Sequence, residues 1–111
     1  MRQIPVTELA ADCAALAEQR PLVLDVREDW EVRHAPMRLD GTEVLHIPMG
    51  HLVARLAELD PDRPVRCLCH HGMRSLQVAH FLERQGFADV ANIQGGIDAW
   101  SALVDPGVAR Y

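Results

Sequence analysis

The chain is 111 residues long, which suits one domain over residues 1–111, since domains cluster at roughly 100–150 residues. Its apolar share of 49% and charged share of 24% are those of an ordinary globular protein, and it is long enough to bury a core without staples. The net charge of −5, with no run of Lys or Arg, argues against nucleic acid and anionic membrane as partners, while leaving room for a small anion held by a few local donors.

In chain order, short β-like runs alternate with helical stretches, the pattern of an α/β domain with a mainly parallel sheet. The opening MRQIPVTELAADCAAL has no basic cluster followed by an apolar run, so it does not read as a signal peptide, and no apolar stretch approaches a membrane span. Thr7 is the expected N-cap of a helix over 8–19, with Leu9, Ala10, Cys13 and Leu16 on one stripe. The run LVLD at 22–25 is a buried strand, 28–34 a short helix with an acidic start, 36–41 a loop, and 44–47 a weaker strand ended by Pro48. Leu52, Val53, Leu56 and Leu59 recur at helical spacing, and the turn Asp60-Pro61-Asp62-Arg63-Pro64 closes that helix. VRCLC at 65–69 is a strand, and Ser75 is the expected cap of a helix running to Gln85, with Leu76, Ala79 and Leu82 inward and Gly86 at its end. A last strand over 89–93, a tight turn at Gly95-Gly96 and a helix over 97–103 complete the chain.

The segment Cys69-His70-His71-Gly72-Met73-Arg74-Ser75 falls between a predicted strand and a predicted helix. In open α/β sheets, ligands bind beyond the carboxyl ends of the strands. A loop feeding a helix N-terminus also points free N–H groups at one spot, near the positive end of the helix dipole. A cysteine there should have its thiolate favoured. Gly72 permits a positive φ that curls the amides inward, and Arg74 adds a planar cation suited to an oxyanion. The bland alternative, a buried strand-end thiol beside an ordinary turn, does not account for Cys, Gly and Arg meeting at such a junction. For Ser75 the structural role of helix cap is the better description. His70 and His71 are expected at the mouth of the loop, where protonation would attract an anion.

This loop, together with Asp25-Val26-Arg27-Glu28 after the first strand and Gly95-Gly96-Ile97-Asp98-Ala99-Trp100 near the end, resembles the rhodanese family, over roughly residues 22–101. The resemblance implies a three-layer α/β fold with a five-stranded parallel sheet flanked by helices, and a loop from Cys69 to Arg74 that cradles sulfur. It implies a sulfurtransferase, thiosulfate sulfurtransferase-like, in which Cys69 takes sulfur from a small anionic donor as a persulfide. A thiol, cyanide or a protein cysteine is the implied acceptor, and no cofactor is implied. It further implies that Asp25 supports the loop by hydrogen bonding and that Arg27 makes a structural ion pair. The chain departs from the family pattern over 34–48, where only Gly41 and His46-Ile47-Pro48 match loosely.

Cys13, Cys67 and Cys69 are an odd, sparse set, which argues against a secreted disulfide framework and for reduced thiols in the cytoplasm. Cys67 shares a strand face with Cys69 and reads as a small buried hydrophobe, as does Cys13 on its helix. Trp30 and Trp100 read as core or rim aromatics, with pocket lining as the alternative for Trp100. Cys67, Cys69, His70 and His71 lack the second distant pair of a structural zinc site, so no metal is expected. Two other classes stand beside the sulfurtransferase. A phosphatase or arsenate reductase with a cysteine loop would need Arg one residue later than Arg74. A non-catalytic carrier or protein-binding module commonly loses the cysteine that this chain keeps.

Overall fold

The computed structural model describes all of residues 1–111. Five strands form one sheet: β1 (Arg2–Pro5), β2 (Leu22–Asp25), β3 (Glu43–His46), β4 (Val65–Leu68) and β5 (Val90–Gln94). They pair in the order β1-β5-β4-β2-β3, and every pairing is parallel. The helices are α1 (Val6–Ala15), α2 (Asp29–His34), α3 (Leu52–Arg55), α4 (Met73–Arg84) and α5 (Gly96–Leu103).

Side chains alternate between sheet faces with period two, and both faces are covered, as a parallel sheet requires. Leu22 and Leu24 of β2 with Val65 and Cys67 of β4 face Leu52 of α3 and Val78, Ala79 and Leu82 of α4. On the other face, Val23, Leu68 and Ile93 meet Leu9 and Cys13 of α1 and Ile97 and Trp100 of α5. Arg66 also lies on this second face, fully buried; its guanidinium bonds Asp12 of α1 at 2.7 Å and Asp89 at 2.9 Å, so its charge is doubly paired. No helix is long and apolar enough to cross a membrane.

Several boundaries differ from those expected. Strand β1 was not expected; its outer residues Arg2 and Gln3 are exposed, so it lacks the apolar run that marks an inner strand. Pro5, not Thr7, precedes α1, which ends at Ala15 and continues as a 3₁₀ turn over Ala17–Gln19. The helix expected over 52–59 is one α turn between the 3₁₀ turns Met49–His51 and Leu56–Glu58. Ser75 does not cap α4. The N-cap is Gly72, at φ +104°, and Ser75 lies inside the first turn with its side chain fully buried.

The sheet order sets the position of the site. The chain leaves β2 toward β3 on one side and returns through β4 on the other. The connections after β2 and β4 therefore lead to opposite sides of the sheet, and the carboxyl ends of these two strands form its topological switch point, where α/β sheets bind ligands. Cys69 follows β4 at that switch point, and Arg27 follows β2.

Candidate active site

Cys69 is 1% exposed. Its Sγ accepts a hydrogen bond from the Gly72 N–H at 3.1 Å and lies 3.3 Å from Ser75 Oγ. The sulfur thus sits within the turn that starts α4, whose first amides have no carbonyl partner in their own helix.

The loop carbonyls are held from behind. In the first turn of α5, the Ile97 N–H donates to the Cys69 carbonyl at 2.9 Å and the Asp98 N–H to the His70 carbonyl at 3.1 Å. Asn92 Nδ2 donates to the Gly72 carbonyl at 3.1 Å. A trans peptide is planar with its C=O and N–H opposed. Holding these three carbonyls therefore turns the N–H groups of His70, His71 and Met73 away from α5 and β5. This explains Gly96, at φ +62°: a Cβ there would collide with the carbonyl oxygens of Cys69 and His70. The close approach of the two loops needs glycine.

Arg74 does not extend freely into solvent. Its guanidinium makes a two-pronged bond to Glu31 of α2, 2.7 Å on each prong. Glu31 also accepts from the Tyr111 hydroxyl at 2.9 Å and from the Glu28 N–H at 2.8 Å, completing a capping box. The Arg74 guanidinium, helped by the latter two donors against the cost of burial, holds the Glu31 carboxyl at about 2. The expected role of Arg74 in binding an oxyanion by both prongs is therefore revised, because that edge of the guanidinium is occupied.

Asp25 and Arg27 form a fully buried pair, with bonds of 2.9 and 2.7 Å. Arg27 also donates to the Ala35 carbonyl at 2.9 Å and to the Tyr111 hydroxyl at 3.1 Å. The Asp25 carboxylate is spent on Arg27 and bonds no residue of the 69–75 loop. Its link to that loop runs through Arg27, Tyr111, Glu31 and Arg74. The divergent 34–48 stretch contributes His46, whose Nε2 donates to the Arg27 carbonyl at 2.6 Å and fastens the exit of β2.

His70 and His71 do not diverge. Their rings stack at 3.8 Å and 25°, and His70 stacks on Tyr111 at 3.8 Å and 8°. Burial, seconded by His71, pushes His70 below its ordinary value, so it is neutral at pH 7 and supplies no charge to attract an anion. Ring nitrogens of both histidines and a carboxylate oxygen of Asp98 lie within 4.8 Å of one another. Lone pairs of stacked imidazoles run side by side in their ring planes, however, and do not converge on one ion. Asp98 is meanwhile bonded by Arg110 at 3.1 and 3.2 Å. Cys67 is fully buried and its thiol is pushed up to about 12, chiefly by desolvation. Cys13 is buried and raised as well. Trp100 is a core residue, whereas Trp30 is 58% exposed beside Tyr111. Met73 is 70% exposed.

Sequence reasoning missed Glu31, Asn92 and Tyr111. The first two had a signal: Glu31 completes an E-x-x-E capping box, and Asn92 is an amide set between the apolar residues Ala91 and Ile93 of a strand. Tyr111 had none.

An α/β domain with its cysteine just beyond a central strand, on a loop whose carbonyls are held by the start of the helix after a Gly-Gly turn, is the arrangement of one known family. The family model for the Rhodanese-like domain matches residues 9–103, and the chain belongs to that family, whose named relatives include sulfurtransferases. The chain is 36% identical over 90 residues to YtwF of Bacillus subtilis, covering 81% of this chain and 82% of that protein. It is 32% identical to the thiosulfate sulfurtransferase GlpE of Pseudomonas savastanoi, covering 79% of each. Among solved structures, a rhodanese-like domain protein from Staphylococcus aureus superposes with a TM-score of 0.77 at 27% identity, covering 100% of this chain and 99% of the other.

Proposed function

We propose that this chain transfers a sulfane sulfur from a small anionic donor such as thiosulfate to a thiophilic acceptor, with Cys69 carrying the sulfur as a persulfide. The observation that carries the reading is the Cys69 sulfur at the start of α4, bonded by the Gly72 N–H in a loop whose Cys69, His70 and Gly72 carbonyls are held from behind.

In the first step the Cys69 thiolate attacks the outer sulfur of thiosulfate. A new S–S bond forms, the donor's own S–S bond breaks, and its electron pair leaves with sulfite. The product is Cys69–S–S⁻, and charge is conserved. In the second step a thiol, cyanide or protein cysteine attacks the outer sulfur, and the electron pair returns to Cys69. Dividing one transfer into two displacements is the usual gain of a covalent intermediate. The amides of His70, His71 and Met73, turned away from α5 and β5, stabilise the anionic outer sulfur, at little reorganisation cost because folding has already fixed their peptides. Main-chain donors, rather than the side chains of Arg74 or the histidines, bind the donor in this reading. Three unpaired cysteines suit a reducing compartment such as the cytoplasm.

A phosphatase reading loses support from Arg74, whose guanidinium is committed to Glu31. A sulfur-carrier role remains the second reading. It is favoured by the enclosure of Cys69 and by the likeness to a protein named as a sulfur carrier, YrkF of Bacillus subtilis, 36% identical over 85 residues that span 75% of this chain and 43% of that protein.

The test is intact mass of reduced protein before and after thiosulfate, with peptide mapping. The expected result is a gain of one sulfur on Cys69, absent from Cys69→Ser. No gain, or a gain on Cys67 or Cys13, refutes the proposal. Thiocyanate formed over many turnovers with cyanide identifies an enzyme, and a single equivalent identifies a carrier.

A further inference from the structure

The Ser75 hydroxyl has one hydrogen, and two buried groups compete for it. Its Oγ lies 2.5 Å from Asn92 Oδ1 and 3.3 Å from Cys69 Sγ. The orientation of the Asn92 amide is set by a separate contact: Nδ2 reaches the Gly72 carbonyl at 3.1 Å, and a backbone carbonyl can only accept. Nδ2 also donates to Gln3 Oε1 at 2.9 Å. Oδ1 therefore faces Ser75, and the shorter contact takes the hydrogen. Ser75 then presents lone pairs to the Cys69 sulfur. A thiol can donate its S–H into them, whereas a thiolate meets them as repulsion. Ser75, Asn92 and Cys69 are each no more than 1% exposed, so water does not stand in for the missing donor.

We infer that Asn92 is a positioning residue that, through Ser75, withholds a hydrogen bond from the Cys69 thiolate and favours the states in which Sγ is uncharged. Those states are the resting thiol and, on the proposed function, the persulfide, whose charge lies on the outer sulfur. When an acceptor attacks, the departing Cys69 sulfur becomes anionic. The Ser75 hydroxyl then rotates to it, leaving Asn92 Oδ1 without its donor. Asn92 thereby biases the site toward holding sulfur over sitting empty as thiolate.

The other ionisable groups near Cys69 are untouched by substitution at 92. Arg74 of α4 is paired with Glu31 of α2, and Cys67 of β4 stays neutral. His70 is neutral at pH 7, its stacking partner His71 lies beside it in the loop, and Asp98 of α5 is paired with Arg110. Tyr111 is bonded to Arg27 and Glu31.

The experiment is the pH dependence of Cys69 alkylation by iodoacetamide, located by peptide mapping, in wild type, Asn92→Leu, Ser75→Ala and the double variant. No sulfur donor is used, so the outcome is independent of the sulfur-transfer test. Asn92→Leu frees the Ser75 hydrogen for the sulfur, and the pH of half-maximal rate falls by about one unit, the scale of one hydrogen bond to a charged group. In the Ser75→Ala background the same change produces no such fall, so the coupling between the sites is about one unit. Loosening of the Gly72 tether would act equally in both backgrounds and cancels. A coupling near zero, or of opposite sign, overturns the inference. Ser75→Ala alone decides the matter if Asn92→Leu does not fold. With Asn92 holding the hydrogen, its loss moves the profile by less than about half a unit. A rise of about one unit would mean Ser75 already donates to the thiolate, and the inference fails.

Discussion

Replacing Glu31 with Gln removes the charge opposite Arg74 while keeping the side chain's shape, and the size of the effect follows from the bonds Glu31 makes. Its carboxyl is held at about 2 against an ordinary 4.5. That difference of roughly 2.5 units corresponds to a ceiling of about 3 kcal/mol of stability at neutral pH. The Arg74 side chain is 35% exposed, so solvent screens the pair and the expected loss is nearer 1.5–2 kcal/mol, roughly half that ceiling. The folded-state value is depressed, so this contribution is fully present above about pH 4.5 and drains away as pH falls toward 2. The assay is urea unfolding of wild type and Glu31→Gln at pH 7 and at steps down through that window. The variant is expected to be weaker at pH 7, with the gap closing in acid. A gap below about 0.5 kcal/mol at pH 7, the size of an ordinary surface pair, or one that does not narrow in acid, would refute the account of the Arg74–Glu31–Tyr111 cluster.

Gly96→Ala forces a left-handed φ on alanine and drives its Cβ into the Cys69 and His70 carbonyls, so it should destabilise by more than about 2 kcal/mol and abolish persulfide formation. Gly41→Ala is the control: φ is +76° but nothing lies within 4 Å, so chemical denaturation should register only the backbone strain, roughly 1 kcal/mol. Cys67→Ser should retain sulfur loading on Cys69, because the Cys67 thiol is buried and pushed up to about 12; loss of loading in a folded variant would assign Cys67 a chemical role. Hydrolysis of p-nitrophenyl phosphate should be undetectable beside sulfur transfer, since the guanidinium a phosphoryl group would need is bound to Glu31; comparable rates would overturn the order of the two readings.

What could be read from the sequence was what local chemistry determines. The strand LVLD, the Cys69 loop and the Gly95-Gly96 turn each carry their cause within a few residues, and each stands where it was expected. The misreadings share a different cause. Ser75 resembles a helix cap by residue type, but Gly72 at φ +104° starts the helix earlier and leaves the Ser75 hydroxyl facing β5. Arg74 looks like an anion clamp until a carboxylate 43 positions away occupies it, and Tyr111 meets Glu31 across 80 positions. Strand β1 has only Ile4 buried, and a single apolar residue announces no strand. His70 and His71 were expected to attract an anion, yet the flat face of Tyr111 gives His70 a surface to lie on, and His71 stacks on it in turn.

The clamping of the loop carbonyls by α5 and Asn92 separates two properties that most binding loops combine. The shape of the Cys69 loop is set from behind, by two α5 amides and the Asn92 side chain, and not by the side chains at 70, 71 and 73. Of these, His71 and Met73 are exposed to solvent. Those two positions are free to vary without disturbing the Cys69 loop, so a lineage of such domains can change the surface around it by redecorating two residues over an unchanged backbone.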